Sequence, residues 1–149
     1  MNVLGLDLSL RTGWCVGAPG SVPEVGAWDI AAAGRGIGQR MGAFARHLEP
    51  LLARVGAVAY ERPMNLRGGQ AVAVCGQLVG VMSLLCERHG LTPIPVAPQT
   101  AKKAATGDGR ASKVAVLQAA RRGGVNAAGF DESDAWAVWL VGRKRKEGG

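Results

Sequence analysis

The stretch from Asn2 to Gly17, NVLGLDLSLRTGWCVG, constrains this chain more than any other, because it is an apolar run with one carboxylate, Asp7, in its middle. Leu4, Leu6 and Leu8 alternate with Val3, Gly5 and Asp7. A strand period of two therefore sets Asp7 on the face opposite the leucines. Desolvating an unpaired carboxylate is costly, so a strand this apolar carries Asp7 either beside a cation or as the ligand of a metal.

The rest of the chain supplies a core for that strand. With 149 residues, 48% of them apolar, it reads as one domain over 1–142 with a basic tail over 143–149. Lys and Arg outnumber Asp and Glu by 18 to 11, a net charge of +7 that suits a polyanionic partner. Cys15, Cys75 and Cys86 form no CxxC pair. Cys75 and Cys86 fall in one expected helix, about 16 Å apart along its axis and too far to bridge. Reduced thiols, no basic n-region and no run read as long enough to span a bilayer give the expectation of a soluble cytoplasmic protein.

Residues 2–9, 14–18 and 25–30 read as three short strands in a meander, with a turn over 9–13. A helix follows over 39–55, with a kink or break expected at Pro50. Ala57 to Tyr60 form a strand that delivers Glu61 at its carboxyl end. The helix over 68–90 carries the stripe Val72, Cys75, Val79, Met82 and Cys86, while Gly76 and Gly80 leave a smooth patch for another helix. Leu91 to Val96 read as an edge strand because of its prolines. Helical stretches are expected over 99–105, 112–122 and 131–142. A meander followed by right-handed βα units gives an α/β fold, a mixed five-stranded sheet with helices on both faces and the first strand central.

Four acids then stand at the ends of elements. Asp7 is on the central strand, Glu61 closes its expected neighbour, and Asp131 and Asp134 share one helical face about 5–6 Å apart. Four converging carboxylates repel, and two divalent cations with oxygen ligands relieve that repulsion. Mg²⁺ or Mn²⁺ fits such ligands. A pair of ions about 3.5–4 Å apart stabilises the attacking and leaving oxygens of a phosphodiester. Taken singly, each acid has a plainer reading. Asp7 pairs with Arg11 or a backbone turn, Glu61 pairs with Arg62, and Asp131 with Asp134 caps a helix start.

These residues resemble the RuvC family of Holliday-junction resolvases, within the ribonuclease H-like superfamily. GLDLSLRTGW is similar to the family's first-strand acid motif, AYERP to its second acidic strand, and DESDAWA to its D-x-x-D-A helix start. APQTAKKAATGDGRASK is similar to the lysine-bearing segment that approaches DNA, and Gln77 to Gly80 to the helix that pairs two subunits. The resemblance implies a ribonuclease H-like fold and a Mg²⁺-dependent endonuclease, with Mn²⁺ as a substitute and two ions per site. It implies nicking of four-way DNA to 5′-phosphate and 3′-hydroxyl ends by a homodimer. Asp7, Glu61, Asp131 and Asp134 would be the metal ligands, and Lys102 and Lys113 the lysines near the scissile phosphate. Met64 stands where the family often has an aromatic wedge, the turn after Asp7 is a residue shorter than usual, and Leu8 replaces a frequent proline. The length suits a phage-type member.

Between Lys102 and Arg122 lie six cations, Lys102, Lys103, Arg110, Lys113, Arg121 and Arg122, against the single acid Asp108. That excess reads as a phosphate-contacting surface. Arg62, Met64, Lys102, Lys103, Arg110 and Lys113 are the expected DNA contacts, with Lys113 also in the catalytic set. The rival readings are a nuclease for other branched DNA or structured RNA, and a non-catalytic junction-binding protein.

Overall fold

The computed structural model describes residues 1–62 and 67–148, so the expectation for Met64 lies outside the described residues. Five strands, β1 (Asn2–Asp7), β2 (Arg11–Gly17), β3 (Glu24–Asp29), β4 (Val55–Glu61) and β5 (Ile94–Val96), form one sheet in the order β3-β2-β1-β4-β5. β1 is central, antiparallel to β2 and parallel to β4, as the meander-then-crossover reading requires. β5 lies at an edge, where Pro95 costs no ladder hydrogen bond on its open side. The helices are α1 (Ile37–Leu52), α2 (Gly69–Arg88), α3 (Pro98–Thr106), α4 (Lys113–Arg122) and α5 (Phe130–Gly148).

The alternation in β1 divides the core in two. Leu4 and Leu6 pack with Phe44, Leu48, Val58, Leu78 and Met82 under α1 and α2. Val3 faces the other way, with Cys15, Ala57, Ala135 and Trp139 under α5. A third cluster, including Ala59, Val96, Val116 and Val138, ties α3 and α4 to α5. Helices therefore cover both faces, and Asp7 falls on the α5 side.

Two glycines set how closely α5 approaches. A Cβ on Gly5 would stand 2.6 Å from the Ala135 carbonyl oxygen and 2.7 Å from the Trp139 nitrogen. A Cβ on Gly13 would run into the Asp131 carbonyl. Gly13 pairs directly with Asp7 in the β1–β2 ladder, so its missing side chain lets the first turn of α5 come down over that carboxylate.

Several expectations are corrected. The turn after β1 is shorter than residues 9–13, because Arg11, Thr12 and Gly13 already pair with Asp29, Trp28 and Ala27 of β3. Pro50 stays inside α1, two residues before its end, so it removes the donor of one intrahelical bond and the helix stops soon after. In α2 the buried face is Leu78, Met82, Leu85 and Cys86, and Val72 is exposed. α2 is also long and apolar enough to cross a membrane by length and composition, against the expectation that no run was, although its inner face packs on the sheet and α1. α5 does not stop at Gly142. Residues 143–146 extend it, with the Arg143 guanidinium 5.0 Å above Trp139 and donating to the Pro19 carbonyl at 3.2 Å. Arg145 donates to the Pro95 carbonyl at 3.1 Å, so two of the four basic residues are tied to the body of the fold.

Candidate active site

Three elements bring the four acids to one end of the sheet. Leu6 is in register with Tyr60 across the parallel β1–β4 pair, which puts Asp7 and Glu61 one step further at the carboxyl ends of neighbouring strands, on the same face. α5 begins at that end and supplies Asp131 and Asp134 from its first turns, where the helix dipole favours negative charge.

The cap of α5 is not made by either aspartate, contrary to the plainer reading of that pair. Glu132 reaches back so that its Oε2 accepts the Gly129 N–H at 2.9 Å, and Ser133 Oγ donates to the Phe130 carbonyl at 3.2 Å. Glu132 and Ser133 are both buried. The capping work is thus taken by residues that the sequence did not single out, and the carboxylates of Asp131 and Asp134 are left for other partners.

Those partners are cations of the chain. Lys113 Nζ lies 3.3 Å from Asp134 Oδ2 and 5.9 Å from the centre of the Phe130 ring. Arg11 Nε lies 3.0 Å from Asp131 Oδ2, and Arg11 Nη2 lies 3.8 Å from Glu132 Oε1. Arg11 therefore serves α5, not Asp7 as the ion-pair alternative had it. Among the described residues no ion pair holds Asp7 or Glu61.

The electrostatics follow from burial and from mutual repulsion. Asp7 is pushed from 3.8 up to about 8, first by desolvation and then by the charges of Glu61, Asp134 and Asp131, with Lys113 opposing. Glu61 is raised by burial and by Asp134, against Lys113 and Lys102. Asp134 is raised by burial, against the attraction of Lys113. For Lys113, burial acts downward but is outweighed by Asp134, Asp7 and Glu61, which hold the ammonium charged. One positive side chain thus feels three of the acids, as a shared site demands.

A cleft of about 150 Å³ opens between these groups, lined by Glu61, Lys102, Lys113 and Asp134 with Pro98 and Ala101 behind. Lys113 reaches it because Ser112 caps α4, its Oγ accepting the Ala115 N–H at 3.1 Å. Lys102 comes from α3, which Pro98 opens at its first position. The remaining cations separate. Lys103 lines a different cleft with Val141, Lys144 and Arg145. Arg121 donates to the Ala127 and Ala128 carbonyls and so braces the loop before α5. Arg62 and Arg110 are exposed. A larger groove of about 560 Å³ adjoins the turn after β1, lined by Leu8, Leu10, Ala71, Val74 and Cys75. It borders the acids: the Cys75 thiol is raised by burial and then by Asp7 and Glu61. That proximity was not read from the sequence, because only the fold brings positions 7, 61 and 75 within electrostatic reach of one another.

The donor set is all carboxylate oxygen, which fits a hard divalent cation. The raised Asp7, Glu61 and Asp134 mark the same place as short of positive charge. As the side chains stand, no three His, Cys, Asp or Glu among the described residues close around one point. Two of the four acids are instead engaged by Arg11 and Lys113.

The chain is 34% identical over 146 residues to the crossover junction endodeoxyribonuclease RuvC of Anaeromyxobacter dehalogenans strain 2CP-C, covering 93% of this chain and 78% of that one. It matches the protein of the same description from Anaeromyxobacter sp. strain K to the same extent. No family model matches. Among solved structures, Thermus thermophilus RuvC in complex with a Holliday junction substrate superposes with a TM-score of 0.80 at 21% identity, over 99% of this chain and 96% of that one. The yeast mitochondrial Holliday junction resolvase Ydc2 superposes with a TM-score of 0.66 at 13% identity, over 98% and 81%. These likenesses give the sheet order and its helices a ribonuclease H-like frame.

Proposed function

Because the chain belongs to the RuvC family of crossover junction endodeoxyribonucleases, we propose that it resolves four-way DNA junctions by hydrolysing phosphodiesters at the end of its sheet. The observation that carries the assignment of the site is the in-register placement of Asp7 and Glu61 on adjacent parallel strands, beneath the first turns of α5. Asp7, Glu61, Asp131 and Asp134 would hold the metal, Mg²⁺ with Mn²⁺ as a substitute, in a set of two ions. When bound, such ions supply an activated water and neutralise charge on the phosphate oxygens.

The protein's own contribution is positional and electrostatic. Lys113 and Lys102 line the cleft beside Glu61 and Asp134, so a phosphate entering it meets two cations. Lys113 keeps its proton through its acidic neighbours and serves as a fixed positive charge. Arg62, Lys103 and Arg110 would add phosphate contacts around that centre, and Met64 would be the apolar wedge. The products would be 5′-phosphate and 3′-hydroxyl ends.

A junction offers two equivalent strands, which suits a two-fold dimer. Support for a homodimer lies on α2. Val72, Gly76, Gly80 and Leu84 recur every four residues on its outer face; Val72 is 52% and Leu84 53% exposed, and a Cβ at either glycine would meet nothing within 4 Å. The protein would act in the cytoplasm, where its DNA is.

The test is a side-by-side nicking assay on four-way junction, flap, duplex and structured RNA with Mg²⁺. Cleavage confined to the junction is expected. Equal cleavage of flap or RNA would reassign the substrate, and no nicking of any DNA would leave a junction-binding protein. Asp7→Asn is expected to keep junction binding while nicking falls at least about a hundredfold; undiminished cleavage by that variant would remove Asp7 from the metal set.

A further inference from the structure

Arg11 stands between two carboxylates of different freedom. Its Nε is 3.0 Å from Asp131 Oδ2, and its Nη2 is 3.8 Å from Glu132 Oε1. The Glu132 side chain is 7% exposed, and its other oxygen is committed to the Gly129 N–H at 2.9 Å, so this carboxylate is fixed. Asp131 is 32% exposed and carries no capping bond, so it can turn. The backbone under Arg11 is fixed as well. Thr12 Oγ1 donates to the Ser9 carbonyl at 2.6 Å, Ser9 Oγ to the Arg11 carbonyl at 2.7 Å, and the Ile30 N–H to the Leu10 carbonyl at 2.7 Å.

We infer that Arg11 is an internal counter-ion that competes with the divalent metal for Asp131, with Glu132 as the anchor that keeps the guanidinium within reach when Asp131 turns away. The inference rests on the metal reading of the four acids. Without metal, Arg11 offsets part of the repulsion at the start of α5. With metal, the same charge opposes binding, both by holding a ligand and by its sign. Lys113 holds Asp134 in the same manner but lines the cleft itself. Arg11 lies outside that cleft lining and is 58% exposed, so its charge sets a metal threshold without belonging to the machinery.

The two ends of this bridge have opposite effects. Arg11→Gln removes the competitor and is expected to tighten Mn²⁺ binding about three- to tenfold, the range set by a partly exposed ion pair plus the lost repulsion. Glu132→Gln removes the anchoring charge and leaves the guanidinium only Asp131, so Mn²⁺ binding is expected to weaken. The glutamine oxygen can still accept from Gly129, which preserves the helix start; should that variant unfold, Arg11→Gln alone decides. Arg11→Lys keeps the charge but not the two-pronged reach and is expected to fall between Arg11→Gln and the unaltered chain.

The measurement is free Mn²⁺ by electron paramagnetic resonance, titrated against the DNA-free protein, so that no turnover enters. Binding by Arg11→Gln that is unchanged or weaker overturns the inference. Asp131→Asn separates it from the metal reading beneath it. If the unaltered chain binds no Mn²⁺, or if Asp131→Asn binds it equally well, both fall. If Asp131→Asn weakens binding while Arg11→Gln fails to tighten it, the competition alone falls.

Discussion

At the scale of single residues, Asp7 shows how a site is stored as instability. Burial and the neighbouring acids push its carboxyl up to about 8 in the fold, against 3.8 ordinarily. A raised carboxyl favours the protonated fold, so this contribution to stability is complete below about pH 4 and is lost as pH rises through about 8. Glu61 and Asp134 are raised too and act in the same direction. Thermal unfolding of metal-free protein is therefore expected at falling temperature from pH 4 to pH 8. Asp7→Asn, which cannot ionise, should flatten that slope and raise the melting temperature near pH 8, and a scan of both proteins in chelator checks it. An unaltered slope would mean that Asp7 is solvated or paired. The sequence showed this carboxylate as out of place, since alternation alone sets it among apolar neighbours. It did not show which acid Arg11 serves, because that pair joins positions 11 and 131, which only the packing of α5 brings together.

At the scale of elements, α5 matters most. It crosses the sheet against β1, β2 and β4, with Val3, Ala57 and Ala59 beneath Ala135, Trp139 and Gly142. The approach depends on Gly5, where an added methyl meets helix backbone rather than a yielding side chain. Gly5→Ala is expected to cost about 3 kcal/mol, near the upper end for overpacking, and to lower the urea midpoint accordingly. Gly20→Ala, with nothing within 4 Å of the new methyl, should be close to neutral in the same titration. Element types were legible where the period is clear, two in β1 and nearly four in α1, whereas the stripe read in α2 meets its buried face only at Met82 and Cys86. Ends were less so. α5 runs past Gly142 because Arg143 packs on Trp139 and bonds to Pro19, a long-range contact that no local pattern announces. The plainer alternative for Asp131, a helix cap, fails on a local contact: Glu132 accepts the Gly129 N–H instead.

At the scale of the whole molecule, two surfaces stand apart. One end of the sheet gathers the acids with Lys102 and Lys113. The outer face of α2 offers an apolar stripe that its own sheet does not cover. Sedimentation analysis is expected to find a dimer, and the double variant Val72→Asp, Leu84→Asp is expected to sediment as a monomer with unchanged secondary structure. A monomeric parent chain would remove α2 as a pairing face. The net charge of +7 suits a polyanionic partner. It could not state where that partner sits, because Arg121 and Arg143 spend their charge on carbonyls inside the fold.

The order of the chain adds a last consequence. Asp7 lies near its beginning, Glu61 before its middle, and Asp131 and Asp134 beyond five strands and four helices. Two of the four candidate ligands thus come from β1 and β4 and the other two from α5, so the set is complete only once α5 has packed against the sheet. A break in the chain ahead of α5 would leave Asp7 and Glu61 without that second pair.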